Sequence, residues 1–127
     1  MLKKNSKIFL AGHNGMVGSA ILQALKKKGF KKIITVEKNK LNLIDQNKVL
    51  RFLKKNKPDF VIIAAAKVGG ILANNNYKAE FLYQNLMIQT NLIHSSFLSN
   101  IKNLIFLGSS CIYPKKSKQP IKESELL

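Results

Sequence analysis

The chain is predicted to fold as an α/β domain, a doubly wound parallel sheet of about five strands with flanking helices. Three observations point there. Short, fully apolar runs, the kind buried in parallel sheets covered on both faces, recur along the chain. Between them lie stretches whose apolar residues return every three or four positions, as on a helix. The first run ends in three closely spaced glycines that open the first helical stretch. Strands alternating with helices call for right-handed crossovers between parallel neighbours.

Lys7-Ile8-Phe9-Leu10-Ala11 is a short apolar run stopped by Gly12, which suits a buried strand. From Met16 the apolar residues Met16, Val17, Ala20, Ile21, Ala24 and Leu25 follow helical spacing, and Gly29 supplies a stop. Lys32 to Val36 is short and β-branched, a second strand that runs into the polar loop Glu37-Lys38-Asn39-Lys40. Asn42-Leu43 predicts a brief third strand. Asp45 is placed to cap a helix carrying Val49, Leu50, Phe52 and Leu53, and Pro58 ends it. Phe60 to Ala66 is the next strand. Gly69-Gly70 and Asn74-Asn75-Asn76 mark an irregular stretch. A longer helix follows from Ala79 to about Ser99 with Leu82, Leu86, Ile93 and Phe97 along it, and Leu104 to Leu107 makes a further buried strand. Residues 1–113 thus read as one domain, and the lysine-rich segment 114–127, with Pro120, as loop or frayed end.

Composition narrows the function classes. The 127 residues fit one domain, and 46% hydrophobic content can fill a core, against disorder. The longest apolar run, Phe60 to Ala66, is far below the roughly 18 residues of a membrane span. Neither a membrane segment nor a secretory signal is expected. Cys111 stands alone, so no disulfide closes within the chain, and a reducing cytoplasm is the expected compartment. No Cys/His spacing suggests a metal, and His13 and His94 read as structural. The 22 basic residues against 6 acidic, a net charge of +16, raise a non-enzymatic nucleic-acid binder as an alternative. Only Arg51 among them is arginine, whereas base and phosphate forks favour guanidinium. The lysine groups at the ends of apolar segments therefore read as solvated faces, and nucleic acid is not the expected partner. Tyr77, Phe81 and Tyr83 read as core or rim rather than as a base-stacking platform.

The chemistry is concentrated where strands end, since ligands of such sheets sit beyond the carboxyl edge. Gly12-His13-Asn14-Gly15-Met16-Val17-Gly18 sets glycines at GxxGxxG spacing between strand and helix, a tight turn whose free N–H groups hold a pyrophosphate. That makes the fold Rossmann-type. Glu37, where an acidic residue would accept from ribose hydroxyls, favours NAD, while its neighbour Lys38 would instead neutralise the 2′-phosphate of NADP. Ser109 and Ser110 could hold a substrate oxygen, and the Cys111 thiol could exchange protons in an electropositive site. On composition alone, small residues leaving a strand and a Cys111 buried as a hydrophobe are the favoured reading of that segment. Asn85 and Asn91, poor helix formers within a helical pattern, could bond a neighbouring strand.

Several segments resemble the GDP-L-fucose synthase family, within the extended short-chain dehydrogenase/reductases. They are Ala11-Gly-His-Asn-Gly-Met-Val-Gly-Ser19, Ala64-Ala-Ala-Lys-Val-Gly-Gly-Ile71, Tyr83-Gln-Asn85, Leu107-Gly-Ser-Ser-Cys-Ile-Tyr-Pro114, Lys118-Gln-Pro120 and Glu123-Ser-Glu-Leu-Leu127. The resemblance implies an NADP(H)-dependent enzyme, with NAD(H) as the other candidate, that epimerises C3 and C5 of GDP-4-keto-6-deoxy-D-mannose and then reduces C4. It implies that Gly12, Gly15 and Gly18, with His13, Asn14, Met16 and Val17 of the same turn, hold the cofactor. Lys38 takes the place of an arginine that helps hold the 2′-phosphate, Asn42 and Leu43 lie near the adenine, and Ala64, Ala65 and Ala66 line the cofactor channel. Ser109 matches the serine that bonds the C4 oxygen, and Cys111 a cysteine that moves protons in epimerisation. A GDP-sugar substrate and a homodimer are implied as partners.

Two departures stand out. Asn14 occupies a position where family members often have arginine, and the family's Tyr-x-x-x-Lys pair has no counterpart before Leu127. Nor is the nucleotide-sugar domain present. The chain is therefore expected to be a truncated, cofactor-binding part of such an enzyme, with little or no turnover alone. Another nucleotide-sugar epimerase or dehydratase, which shares the glycine turn and Ser109 but does not need Cys111, is the alternative within the superfamily.

Overall fold

The computed structural model describes residues 2–126. Four parallel strands, β1 (Ile8–Ala11), β2 (Ile33–Ile34), β3 (Phe60–Ile63) and β4 (Asn103–Phe106), form one sheet in the order β2-β1-β3-β4. Their register is tight, with Ile8 opposite Ile33 on one side and Phe60 on the other, and Phe60 opposite Asn103. Helices α1 (Met16–Lys27), α2 (Gln46–Asn56), α3 (Ile71–Asn76) and α4 (Lys78–Leu98) complete the main elements, with single 3-10 turns at Ser110–Ile112 and Glu123–Glu125.

The chain leaves β1 toward β2, then returns past β1 to β3 and β4. Right-handed crossovers in opposite directions put their helices on opposite faces. The two halves of the core show this. Ile8, Leu10 and Ile62 pack with Leu25 of α1, while Phe9, Ala11, Val61 and Ile63 pack with Val49 and Leu53 of α2 and Leu92 of α4. Alternate residues of each central strand are thus buried on both sides, which is why these strands contain no polar position.

The structure corrects several expectations. Asn42-Leu43 forms no strand: the Asn42 Oδ1 atom accepts from the Ile44 N–H at 3.1 Å, folding the segment into a side-chain-stabilised turn. The sheet accordingly has four strands among the described residues, and β2 is only two residues long. The stretch after Gly69-Gly70 is not irregular but the short helix α3, where Asn74 Nδ2 donates back to the carbonyls of Gly69 and Gly70. β4 is an edge strand, and it is not buried. Leu104 packs on the α2/α4 core, whereas Ile105, which points to the α1 side, is 49% exposed, and Phe106, on the same face as Leu104 at the strand's end, is 45% exposed. Leu82, Leu86, Ile93 and Phe97 of α4 are all exposed. The helix instead turns Phe81, Asn91, Leu92, Ser95 and Ser96 inward.

Asp45 caps α2, its Oδ1 accepting from the Lys48 N–H at 3.0 Å. That backbone donor, aided by the Lys48 ammonium, lowers the Asp45 pKa from the usual carboxylate value. A carboxyl whose pKa is depressed on folding stabilises the protein above its unfolded pKa and stops doing so as the pH falls through the folded value. Asp45→Ala is therefore expected to lower the thermal midpoint at pH 7 by a few degrees, with the gap from wild type closing in acid. Circular dichroism melts between pH 7 and pH 2 measure this; Asp45→Asn, which keeps a cap, should lose less at pH 7.

Candidate functional site

A parallel sheet whose winding reverses leaves a crevice where the two diverging strands end. Here those strands are β1 and β3. A cavity of about 530 Å³ opens beyond them, lined at its base by Phe9, Ala11 and Ala64 to Ala66 and along one side by Gly12, His13, Asn14 and Gly15. Its size suits a small-molecule or cofactor site.

The glycine turn is shaped by close backbone approach. Gly12 has φ +89°, and a Cβ there would stand 2.6 Å from Ala64 and Ala65 backbone atoms. At Gly18 an added Cβ would lie 2.0 Å from the Gly12 carbonyl oxygen, closer than any real side chain sits. Glycine at both positions lets α1 seat directly on the turn. Gly15 is the N-cap of α1 and offers no side chain to its first N–H groups. Those donors are left for an anion. The cradle thus fits a dinucleotide pyrophosphate. Met16 and Val17 begin the helix; both are exposed and neither lines the cavity.

Lys38 lines the cavity, as do Val36, Leu41, Asn42, Leu43 and Ile44. This wall is built from irregular chain and needs an internal support. Asn91, 2% exposed on α4, provides it: its Nδ2 donates to the carbonyls of Leu43 at 2.9 Å and Ile44 at 2.8 Å. Asn85 does the same across the cavity, where its Oδ1 accepts from the Lys67 N–H at 2.7 Å and its Nδ2 donates to the Lys67 carbonyl at 3.0 Å. Both asparagines therefore bond loops leaving the strands rather than strands themselves. Glu37 is not on the cavity; it bonds Asn14 at 2.8 Å and His13 at 3.2 Å.

Ser109 and Cys111 lie beyond the carboxyl end of β4, at the same sheet edge as the glycine turn, but outside the cavity lining. The Ser109 Oγ accepts from the Cys111 N–H at 3.2 Å, which leaves the hydroxyl hydrogen free to donate. Cys111 is exposed rather than buried. Among the described residues no group of His, Cys, Asp or Glu could hold a metal, and no helix is long and apolar enough to cross a membrane. His94, near Gln46 of α2, lies outside the cavity.

Comparison with known proteins settles the family. The model of the NAD dependent epimerase/dehydratase family matches residues 8–127. The chain belongs to that family. GDP-L-fucose synthase 1 of Arabidopsis thaliana is 54% identical over 127 residues, all of this chain and 39% of that protein. GDP-L-fucose synthase of Escherichia coli is 51% identical over 121 residues, 95% of this chain and 38% of that protein. A GDP-mannoheptose C4 reductase from Campylobacter jejuni, solved with NADP bound, superposes with a TM-score of 0.93 at 43% identity, over 99% of this chain and 37% of that one. The chain thus spans about two fifths of the length of these family members.

Several cavity residues were not singled out from the sequence. Lys67 and Val68 line it and sit inside the Ala-Ala-Lys-Val segment, so that motif held a signal for them. Gln84 sits inside the Tyr83-Gln-Asn85 segment, whereas Ile88 of α4 lines the cavity with no local pattern marking it.

Proposed function

We propose that this chain is the cofactor-binding part of an NADP-dependent epimerase-reductase acting on a GDP-linked 4-keto-6-deoxy sugar, the reaction that yields GDP-L-fucose. The observation that carries the reading is the cradle at Gly12 and Gly18, where a side chain would collide with backbone, opening on a cavity that Lys38 also lines. Identity above 50% to two GDP-L-fucose synthases supports the substrate class.

When bound, NADPH would supply the hydride that reduces the C4 ketone. The backbone of Gly12, His13, Asn14 and Gly15 and the first N–H groups of α1 would hold its pyrophosphate, with Gly18 keeping the helix close. Lys38 would neutralise the 2′-phosphate, Asn42 and Leu43 would flank the adenine, and Ala64, Ala65 and Ala66 would leave room for the dinucleotide over the sheet. The Ser109 hydroxyl would donate to the C4 oxygen, and the Cys111 thiol would carry a proton to or from C3 or C5. Both lie beyond the carboxyl end of β4, which supports these roles. The exposed α4 stripe of Leu82, Leu86, Ile93 and Phe97 is the face we assign to a second copy in a homodimer.

Saturable NADPH binding to the purified chain, followed by calorimetry, tests the reading. Lys38→Ala should weaken NADPH about tenfold, since a lysine-phosphate contact is charge-assisted, and leave NADH unchanged. Absence of NADPH binding would overturn the proposal. Retention on DNA that NADPH does not displace would then favour the nucleic-acid alternative raised by the +16 charge.

A further inference from the structure

Glu37 and Lys38 leave β2 side by side with opposite charges, and the general rule for such sites assigns them opposite ligands. An acidic side chain suits a free ribose diol, a basic one a 2′-phosphate. Only one of them faces the cavity. Lys38 lines it and Glu37 does not.

The reason is a contact between two elements. Glu37 is held by the glycine turn that follows β1, the strand paired with β2. Asn14 Nδ2 donates to one carboxylate oxygen at 2.8 Å, and His13 Nε2 lies 3.2 Å from the other. Both oxygens are therefore engaged on the turn side. The Glu37 side chain is nevertheless 53% exposed, so packing alone does not hold it there. Released from Asn14, it would be free to swing toward the cavity mouth beside Lys38. A second negative charge there would oppose a 2′-phosphate, and its oxygens would accept from ribose hydroxyls.

We infer that the grip of Asn14 and His13 on Glu37 sets the cofactor selectivity of this chain, by keeping the carboxylate off the cavity wall that Lys38 lines. A dinucleotide with a 2′-phosphate is thereby accepted over one with a free 2′-hydroxyl. The inference rests on the dinucleotide reading above and adds to it the device that decides between the two cofactors. Glu37 acts here as a positioning residue whose ordinary ligand role is suppressed, and Asn14 as the residue that suppresses it.

The test is equilibrium binding of NADPH and of NADH to the full chain as wild type, Asn14→Ala, and the double variant Asn14→Ala/Glu37→Gln. Wild type should prefer NADPH by about tenfold or more. Asn14→Ala should narrow that ratio by about fivefold, weakening NADPH and tightening NADH. Adding Glu37→Gln should restore the preference, because an uncharged amide no longer opposes phosphate. A role in shaping the turn alone would weaken both cofactors together and would not be rescued. An unchanged ratio in Asn14→Ala, or no rescue by Glu37→Gln, overturns the inference while the dinucleotide reading stands. Failure of wild type to bind either cofactor overturns both. Circular dichroism confirms that each variant is folded, and Asn14→Ser, too short to span the contact, gives the same readout should the alanine variant not fold.

Discussion

Gly18→Ala is expected to weaken NADPH binding by about 100-fold or more. Forcing extra atoms into a packed site typically costs about 1–3 kcal/mol, and an ordinary overpacked contact can relax by rotating a side chain. Here neither partner can. The added Cβ would stand 2.0 Å from the Gly12 carbonyl oxygen and 2.7 Å from its carbon, both backbone atoms of the turn. Gly12 in turn is locked by its φ of +89° against Ala64 and Ala65. Relief must come from α1 moving off the turn, and that withdraws its first N–H groups from the cavity. Calorimetric titration with NADPH measures the loss. Gly70→Ala serves as the control, since a Cβ at Gly70 meets nothing within 4 Å, and it should bind as wild type does. Near-normal binding by Gly18→Ala would show that the seating of α1 does not shape the site.

Asn91→Ala is expected to be the most damaging single change away from the glycine turn. The side chain is 2% exposed and donates to two carbonyls, those of Leu43 and Ile44, in a segment with no strand or helix of its own. Leaving a buried acceptor without its donor costs about 1–3 kcal/mol for each group. That is a large fraction of the stability of a domain this small. The same segment forms the cavity wall at Asn42, Leu43 and Ile44, so what remains folded should bind NADPH more weakly as well. Urea denaturation gives the first effect and titration the second. Asn91→Gln cannot place its amide at the same distance and should not rescue. Stability within experimental error of wild type would mean that water replaces the amide and that the wall does not depend on α4.

Much of the site was legible because its requirements are local. The turn Gly12 to Gly18 needs small residues at particular spacings within one continuous segment, and Ala64 to Ala66 needs small residues directly after a strand, so both leave a mark in the sequence. Asp45 as a helix cap is local in the same sense, since donor and acceptor are three residues apart. Asn85 and Asn91 were visible only as misfits in a helical pattern. Their partners, 18 and 48 residues away for Lys67 and Leu43, could be found only in the fold.

Which apolar faces are buried depended on what each element packs against. Leu82, Leu86, Ile93 and Phe97 lie along one face of α4, yet a helix turns inward whatever face its neighbours can receive. In this structure that face carries Asn91, Leu92, Ser95 and Ser96 against α2 and the sheet. β4 is apolar like the central strands but takes the edge of the sheet, so Ile105 and Phe106 remain exposed. Asn42-Leu43 has the composition of a short strand, but the Asn42 side chain satisfies the Ile44 N–H before a neighbouring strand can.

What the sequence determined by itself was the α/β class, the order of the main strands and helices, and the glycine turn with its ligand class, because each depends on interactions among residues close in the chain. The tertiary structure alone decided which of two adjacent charges faces the cavity. Glu37 and Lys38 are equivalent in sequence terms, adjacent in the loop that follows the same strand. They become different only when the parallel pairing of β1 with β2 brings Asn14 and His13, more than 20 residues earlier, within hydrogen-bond distance of the carboxylate. Hydrogen bonds of about 3 Å are decided by such proximity, and proximity across strands is a property of the fold.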